Sequence, residues 1–199
     1  MLMFHYDLID RYIPRSKYQL CEMDTDSLYL ALGAQDITHI IKPGLEKDFF
    51  EEYENWFPAK VCAKHKQDFV FNKLKDRTYE PPNHPCCEVE KAFTKRTPGL
   101  FKEEYRGEGI IALCSKTYYC FGATNKFSSK GLSKRLNNLT KESYLDVLTS
   151  RNNGGGVNKS FRTDGAVIYT YQQHRSSLSF FYPKRIVQDD GVSTKPTRV

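Results

Sequence analysis

The sequence predicts an α+β fold in which an antiparallel sheet packs against helices. Two apolar, strand-like runs, residues 18–21 and 28–32, flank a short polar segment. Because Asp, Thr and Ser are typical turn residues, this arrangement predicts a β-hairpin with carboxylates at its tip. Further along, Leu45, Phe49, Tyr53 and Trp56 recur at helical spacing, which predicts a helix whose apolar face belongs to the core.

Helix and strand signals continue on both sides of these segments. Residues 1–12 carry apolar residues mostly on one helical face, and Pro14 follows them, so we expect a helix that ends there. Residues 110–114 form an apolar run that predicts a strand. Thr140 precedes a partly apolar stretch and is expected to cap a helix over residues 139–149.

The last quarter of the sequence is rich in glycine and then in strand signals. Residues 152–156 include three consecutive glycines and predict a flexible break. Residues 158–187 carry signals that predict strands. We expect the polar tail, residues 193–199, to be disordered.

The composition limits where the protein acts. Hydrophobic residues make up 39% of the chain and charged residues 27%, which is typical of a soluble globular protein. No stretch is long enough to span a membrane, and charge interrupts residues 1–7 too early for a signal peptide. We therefore expect an intracellular protein of the nucleus or cytoplasm, whose six cysteines stay reduced.

Charge is distributed unevenly along the chain. Residues 1–94 contain 12 Lys and Arg against 16 Asp and Glu, whereas residues 95–199 contain 18 against 8. Such asymmetry indicates nucleic-acid binding better than the total charge does, and it fits an acidic, metal-holding half followed by a half that follows a phosphate backbone. The alternative is that the lysine-rich loops are only solvated surface.

Asp24 and Asp26 form the candidate metal site. In an extended chain their side chains point the same way, and a pair of carboxylates suits Mg²⁺. Polymerases and nucleases use such carboxylates to hold divalent ions that bridge the attacking and leaving oxygens of a phosphate. The alternative is an ordinary β-turn with Asp and Ser in their usual turn roles.

Residues 22–27, Glu-Met-Asp-Thr-Asp-Ser, resemble the third palm motif of type B (family B) DNA polymerases, Tyr-x-Asp-Thr-Asp-Ser. Glu22 stands where the family usually has Tyr. The resemblance implies that Asp26 is the main ligand and catalytic residue for the metal, and that Asp24 assists it.

A second stretch is similar to the region that follows this hairpin in the protein-primed, viral or transposon-borne branch of the family. A Pro98-Gly99 turn precedes the strand at residues 110–114, and a Lys-x-Tyr motif, Lys116 to Tyr118, comes next. The resemblance implies that Lys116 and Tyr118 hold the primer terminus. If the chain is extended there, both side chains share one face and position DNA without reading its sequence. The alternative is a strand with a partly buried Tyr and a Lys whose charge reaches solvent.

The basic segment 126–135 is similar to the family's connection from palm to thumb, which runs beside the duplex. Its glycine would allow close approach to a phosphate or a positive φ. The closing residues, with Lys184, Arg185 and an Asp-Asp-Gly turn at 189–191, resemble the end of the same polymerases. The implied DNA contacts of the basic segment are Lys126, Lys130, Gly131, Lys134 and Arg135.

The resemblance implies that residues 1–120 are a partial palm and residues 121–199 a thumb with a C-terminal segment. The implied activity is that of a DNA-directed DNA polymerase, a nucleotidyltransferase of DNA replication in a virus or mobile element. Its partners would be a DNA primer-template, a deoxynucleoside triphosphate and a terminal protein primer, and its cofactor two Mg²⁺ ions. The first palm motif, the fingers and the exonuclease motifs are missing, so a further carboxylate would come from outside this chain. We expect the chain to be inactive alone.

Two other functions stay open. A non-catalytic nucleic-acid-binding module would use the basic half and make no use of Asp24 or Asp26. A zinc-structured interaction domain would use the metal-like spacing of cysteine and histidine, which matches no common zinc finger. Its candidate ligands are Cys62, His65, His84 and Cys86, with Cys87 adjacent.

Overall fold

The structure, a computed structural model, describes residues 1–180, 185–189 and 194–196. Over these residues the fold is α+β, as the sequence predicts, with several helices and small antiparallel sheets. The α-helices are α1 (Glu46–Glu52), α2 (Lys66–Lys75), α3 (Pro85–Thr94) and α4 (Lys141–Ser150). The shorter helical turns are a π-helix at Phe4–Asp10 and 3₁₀ turns at Arg15–Lys17, Ile37–His39, Tyr53–Asn55 and Ala63–His65.

The strands pair in four sheets among the described residues, in the orders β1–β2, β3–β4–β5, β6–β7 and β8–β9. Their bounds are β1 Tyr18–Asp24, β2 Ser27–Leu32, β3 Gly109–Cys114, β4 Thr117–Phe121, β5 Lys126–Ser128, β6 Gly154–Asp164, β7 Val167–Leu178, β8 Arg185–Val187 and β9 Thr194–Pro196.

The chain divides into two compact units. The first unit contains residues 1–20 and 30–104, and the second unit contains residues 21–29 and 105–199. This division differs from the predicted parts, since a boundary after residue 120 would cut through β4. The assignment of palm and thumb to parts of the chain stays a prediction.

The first unit has an aromatic core. The predicted N-terminal helix is present over residues 2–12, and its fully buried Tyr12 lies edge-on to Phe49 of α1 at 5.4 Å between ring centroids. The Tyr12 hydroxyl donates to Glu52 at 2.8 Å. The apolar face predicted for residues 45–56 is therefore core, although the α-helix ends at Glu52 and continues as a 3₁₀ turn.

Helices α2 and α3 were not predicted. The loop expected from the composition of residues 79–85 is present, but it ends where α3 begins at Pro85. Proline suits the first helical position because that position has no intrahelical partner for its N–H. The His84 side chain caps the helix by accepting a hydrogen bond from the Cys86 N–H at 3.4 Å.

The β3–β4–β5 sheet of the second unit has two different faces. On one face Tyr119 pairs with Ile111 and Phe127 of the neighbouring strands. This face packs against α4, whose Tyr144 is fully buried. On the opposite face, Tyr118 and Cys120 pair with Ser128 and Lys126. Thr140 caps α4 as predicted, and its N–H donates to Ser143 Oγ at 3.3 Å.

A long hairpin, β6–β7, confirms the predicted strands after residue 158. The flexible break predicted for residues 152–156 is wrong at its glycines, because Gly154 and Gly156 pair with Leu178 and Arg175 of β7. The predicted disordered tail is wrong for residues 194–196, which pair with β8. Of the closing motif, Lys184, Asp190 and Gly191 lie outside the described residues.

None of the helices in the described part of the chain combines the length and the apolar character needed to cross a bilayer.

Candidate functional site

The β1–β2 hairpin places its carboxylates at the tip, as the sequence predicts. Asp24 ends β1, Thr25 and Asp26 form the two-residue turn, and Ser27 begins β2. Thr25 has φ +43° and donates its hydroxyl to Asp24 Oδ1 at 3.0 Å, while Ser27 Oγ donates to the Asp24 carbonyl at 3.3 Å. Asp26 lies in the turn and is exposed, so the chain is not extended through both aspartates and the condition under which their side chains would share a face is not met.

The β3–β4 hairpin also ends in a two-residue turn, Ser115 and Lys116. Lys116 has φ +66° and is therefore not extended, so the condition under which Lys116 and Tyr118 would share one face is not met. Such a φ is uncommon for a residue with a side chain, and neither turn residue is one that favours it. Thr117 starts β4 and is fully buried. Lys116 therefore belongs to the turn, whereas Tyr118 belongs to the strand.

The two hairpin tips meet inside the second unit. Lys116 Nζ lies 2.6 Å from Asp24 Oδ1, in an ion pair whose side chains are 47% and 26% exposed. The backbone N–H of Lys116 donates to Glu22 Oε1 at 2.9 Å, across 94 positions of sequence. The structure thus brings together two residues, Asp24 and Lys116, that the sequence analysis selected from separate motifs.

Electrostatics at this contact follow from the short distances. The hydrogen bond from Lys116 holds the pKa of Asp24 below its ordinary value. The same bond raises the pKa of Lys116, and the charge of Asp26 adds a smaller effect. Burial raises the pKa of Glu22, with the Asp24 charge adding to the shift and the bond from the Lys116 N–H opposing it. At neutral pH the Asp24 carboxylate and the Lys116 ammonium are therefore both charged.

Tyr118 lies next to this contact but is 8% exposed. Its hydroxyl is 2.8 Å from the hydroxyl of Tyr29 in β2, and the ring centroids are 4.7 Å apart. Burial raises the pKa of Tyr118, and the bond to Tyr29 adds to the shift. The Lys126 ammonium lies 5.5 Å above the Tyr29 ring. Tyr118 and Lys126 therefore share the sheet face on which Tyr29 packs.

The other predicted DNA contacts follow β5. Lys130, Lys134 and Arg135 are exposed, as phosphate contacts need to be. The Lys130 N–H donates to Thr117 Oγ1 at 3.4 Å, and the Lys134 ammonium donates to the Phe127 carbonyl. These bonds tie the basic segment to the sheet that carries the Lys116 turn.

Gly131 has a structural reason to be glycine. Its φ is +83°, and a Cβ added there would lie 2.9 Å from Ser177 Oγ. A positive φ was one of the two roles the sequence predicted for this residue.

A cysteine and histidine cluster lies in the first unit. The ligand atoms of Cys62, His65, Cys86 and Cys87 all lie within 4.8 Å of one another. His84 is not a member of this set, although its Nδ1 lies 2.9 Å from Cys86 Sγ. The predicted ligand set therefore named His84 where the geometry places Cys87. No other group of three or more such ligands occurs in the described residues. Asp24 and Asp26 therefore have no third metal-ligating side chain close to them in that part of the chain.

Glu22 and Tyr29 belong to the site but were not predicted from the sequence. Glu22 was noted only as a departure from the polymerase motif. It lies two residues before Asp24 in β1, and this spacing in a strand predicts that both side chains share a face. Tyr29 lies in a strand that was predicted, but its partner in β4 is distant in sequence and no local signal identifies it.

Comparisons with protein families, with characterised proteins and with solved structures gave no significant match. The polymerase family therefore stays a resemblance carried by the motifs, and the functional argument depends on the chemistry of the site.

Proposed function

We propose that this chain is part of a type B DNA-directed DNA polymerase and that the two hairpin tips of the second unit form one side of its catalytic centre. The observation that supports the proposal most is the contact between Asp24 and Lys116, 2.6 Å apart. In such an enzyme a metal-holding carboxylate and a primer-holding ammonium act on the same end of the primer, so the proposal requires the two groups to lie near each other.

The carboxylates fit the cofactor that the proposal needs. Asp26 is exposed, so its oxygens are accessible, and Asp24 lies beside it at the end of β1. Mg²⁺ is commonly held by one or two carboxylates together with water and substrate phosphates. Bound there, it would lower the pKa of the primer 3′-hydroxyl and neutralise charge on the α-phosphate of the incoming deoxynucleoside triphosphate. A further carboxylate would come from outside this chain.

The remaining residues would position DNA. The Lys116 ammonium offers a mobile positive charge for the terminal phosphate of the primer. The contact between the Tyr118 and Tyr29 hydroxyl groups would support the strand that follows this turn. Lys126, Lys130, Lys134 and Arg135 would contact the backbone of the duplex, which requires charge but no reading of bases.

Mn²⁺ binding tests the proposal, because this ion replaces Mg²⁺ at carboxylate sites and is observed by electron paramagnetic resonance. We expect the full chain to bind Mn²⁺ more tightly with a recessed primer-template than without it. Asp26→Asn should weaken this binding by more than about tenfold, since even second-shell partners of a metal cost about that much.

Asp146→Asn is the matched control, because Asp146 is exposed on α4 and the charge change is the same. It should leave Mn²⁺ binding unchanged. If the two variants behave alike and DNA binds equally well without the ion, the proposal fails and the non-catalytic nucleic-acid-binding module replaces it.

A further inference from the structure

Four side chains of the first unit converge on one point although they come from two distant segments. The His65 N–H donates to the Cys62 carbonyl at 2.9 Å, which closes a turn and places both side chains together. Cys86 and Cys87 lie in the first turn of α3. The Sγ atoms of Cys62 and Cys86 are 3.2 Å apart across 24 positions of sequence.

Four of five distances between ligand atoms in this cluster lie within about 0.3 Å of those of a tetrahedral zinc site, and the distance between the Cys62 and Cys86 sulfur atoms is about 0.6 Å shorter. With Zn–S near 2.3 Å and Zn–N near 2.0–2.1 Å, tetrahedral geometry places sulfur atoms about 3.8 Å apart and sulfur and nitrogen about 3.6 Å apart. Cys62 Sγ lies 3.8 Å from Cys87 Sγ and 3.2 Å from Cys86 Sγ. His65 Nδ1 lies 3.3, 3.6 and 3.3 Å from the sulfur atoms of Cys62, Cys86 and Cys87.

The surroundings of the cluster also suit bound thiolates. The Cys62 N–H donates to Cys87 Sγ at 3.4 Å, and a backbone donor of this kind stabilises a metal-bound sulfur. Cys62 and Cys87 are buried, 8% and 2% exposed, so the core of the site excludes water. Two of the sulfur atoms lie at a helix N-terminus, where negative charge is favoured.

We propose that Cys62, His65, Cys86 and Cys87 bind one Zn²⁺ ion in a closed structural site. Three thiolates and one imidazole fill the four positions that structural zinc sites use, which leaves none for a substrate. Soft sulfur ligands favour zinc over Mg²⁺. The ion would join the segment before α2 to the start of α3. It would thereby fix the two ends of the stretch that contains α2 and the loop at residues 76–84. This proposal does not depend on the polymerase function.

His84 would act outside the coordination sphere. Its Nδ1 is 2.9 Å from Cys86 Sγ and its ring centroid is 4.8 Å from that of His65, but it caps α3 and does not join the set of mutually close ligands. We therefore expect His84→Ala to weaken zinc binding by about 10–100-fold, the usual effect of a second-shell partner, and to preserve one ion per chain at saturation.

The test is metal analysis of the full chain purified under reducing conditions without added zinc, followed by Co²⁺ substitution. We expect one zinc per chain and, with Co²⁺, the visible absorption of a tetrahedral site together with thiolate charge-transfer bands. Cys87→Ser should reduce the charge-transfer intensity by about one third, because one of three thiolates is lost. Cys114→Ser is the control, a free cysteine of the second unit whose loss should change neither reading.

The Co²⁺ spectrum keeps the test decisive even if a cysteine variant is poorly stable, because His84→Ala and Cys87→Ser differ in the number of thiolates that remain. Zinc well below one per chain without a tetrahedral Co²⁺ spectrum would overturn the proposal. So would a disulfide between Cys62 and Cys86 in the freshly reduced protein. A spectrum unchanged by Cys87→Ser but abolished by His84→Ala would exclude the proposed ligand set.

Discussion

At the residue scale, Glu22 brings a carboxylate into a buried position and uses it to accept the backbone N–H of Lys116 at 2.9 Å. Burial disfavours the charged form, so the pKa of Glu22 is raised. The residue fixes the Lys116 turn and thereby helps to keep the Lys116 ammonium beside Asp24. At the position where the polymerase motif usually has Tyr, this chain has Glu22, whose carboxylate accepts a hydrogen bond from the turn at Lys116.

Replacing Glu22 by Gln tests this role through pH. Because the folded-state pKa is raised, ionised Glu22 costs stability once pH exceeds the unfolded value, and the cost disappears as pH falls. Glu22→Gln keeps an oxygen for the Lys116 N–H and carries no charge. We expect it to raise the free energy of unfolding at pH 7, where the ionised form is destabilising, and to have no effect at pH 3, where Glu22 is protonated.

Urea denaturation at the two pH values measures this difference. The matched control is Glu142→Gln, since Glu142 is exposed in the first turn of α4 and its pKa is lowered by the backbone N–H that it accepts. A lowered pKa contributes stability above the unfolded value, so this control should lose stability at pH 7. A loss at pH 7 for Glu22→Gln would contradict the account of a buried, destabilising charge.

The ion pair between Asp24 and Lys116 has a different value. Its side chains are 26% and 47% exposed, so water and salt screen the attraction and the pair adds little to stability. Its importance lies in position, because it shows that a carboxylate of one tip and an ammonium of the other share a space of a few ångströms.

At the element scale, two short hairpins and one loop form the candidate site. Lys116 lies in a turn with a positive φ, and Gly131 has φ +83° in the segment that binds back to Thr117. A backbone conformation with a positive φ persists only where the surrounding structure stabilises it. The geometry of the site therefore depends on the loop around Gly131 as well as on the strands.

Gly131→Ala should destabilise the second unit for two reasons. A left-handed φ costs a residue with a side chain about 1–2 kcal/mol, and the added Cβ would lie 2.9 Å from Ser177 Oγ. Gly165→Ala is the matched control, because Gly165 has φ +56° at the tip of β6–β7 and nothing within 4 Å of the added atom. Thermal unfolding should show a larger loss for Gly131→Ala, and equal losses would mean that the contact with Ser177 is unimportant.

The elements that the sequence predicted are those with strong local signals. The β1–β2 hairpin has turn residues between apolar strands, and α4 has Thr140 at its start. Helix α3 was not predicted although Pro85 marks its first turn. The prolines that precede it are typical of a loop and hide the start of the helix. The glycines at 154–156 predicted a break, but strand pairing with β7 outweighs their local preference.

Four residues of the candidate site were predicted from the sequence, whereas Glu22, Tyr29 and the contacts between the hairpins were not. Asp24, Asp26, Lys116 and Tyr118 were selected from motifs, but the turn at Lys116 lacks the residues that favour a positive φ. The bond from Lys116 to Glu22 spans 94 positions, and a single sequence contains no information on such pairs. The predicted ligand set named His84 in place of Cys87 for the same reason. The position at which α3 starts determines which side chains converge in the cysteine and histidine cluster.

At the scale of the whole molecule, charge separates along the chain. The first 94 residues carry four more acidic than basic residues, and the rest carry ten more basic than acidic. A surface that binds DNA through phosphates loses affinity with salt in proportion to the number of contacts. This relation would count the phosphate contacts that the proposed function requires of the basic segment.

Replacing Lys130, Lys134 and Arg135 together by Ala should therefore lower the salt dependence of duplex binding. The slope of log K against log salt should become smaller in magnitude by about 0.9 for each phosphate contact that is lost. Fluorescence anisotropy with a labelled duplex measures the slope. The control replaces Lys47, Lys75 and Lys95, exposed residues of the first unit, and should leave the slope unchanged. Equal slopes for both variants would show that the basic segment does not contact the backbone.

The most direct test of the central claim is to ask where the 3′ end of a primer lies on the protein. A recessed primer-template with 4-thiothymidine at the primer terminus, irradiated with the full chain in the presence of Mg²⁺, forms an adduct that mass spectrometry locates after digestion. The account predicts adducts at the two tips, in residues 24–26 or 115–118. Adducts confined to the first unit, or a pattern at the tips that Lys116→Ala leaves unaltered, would contradict it.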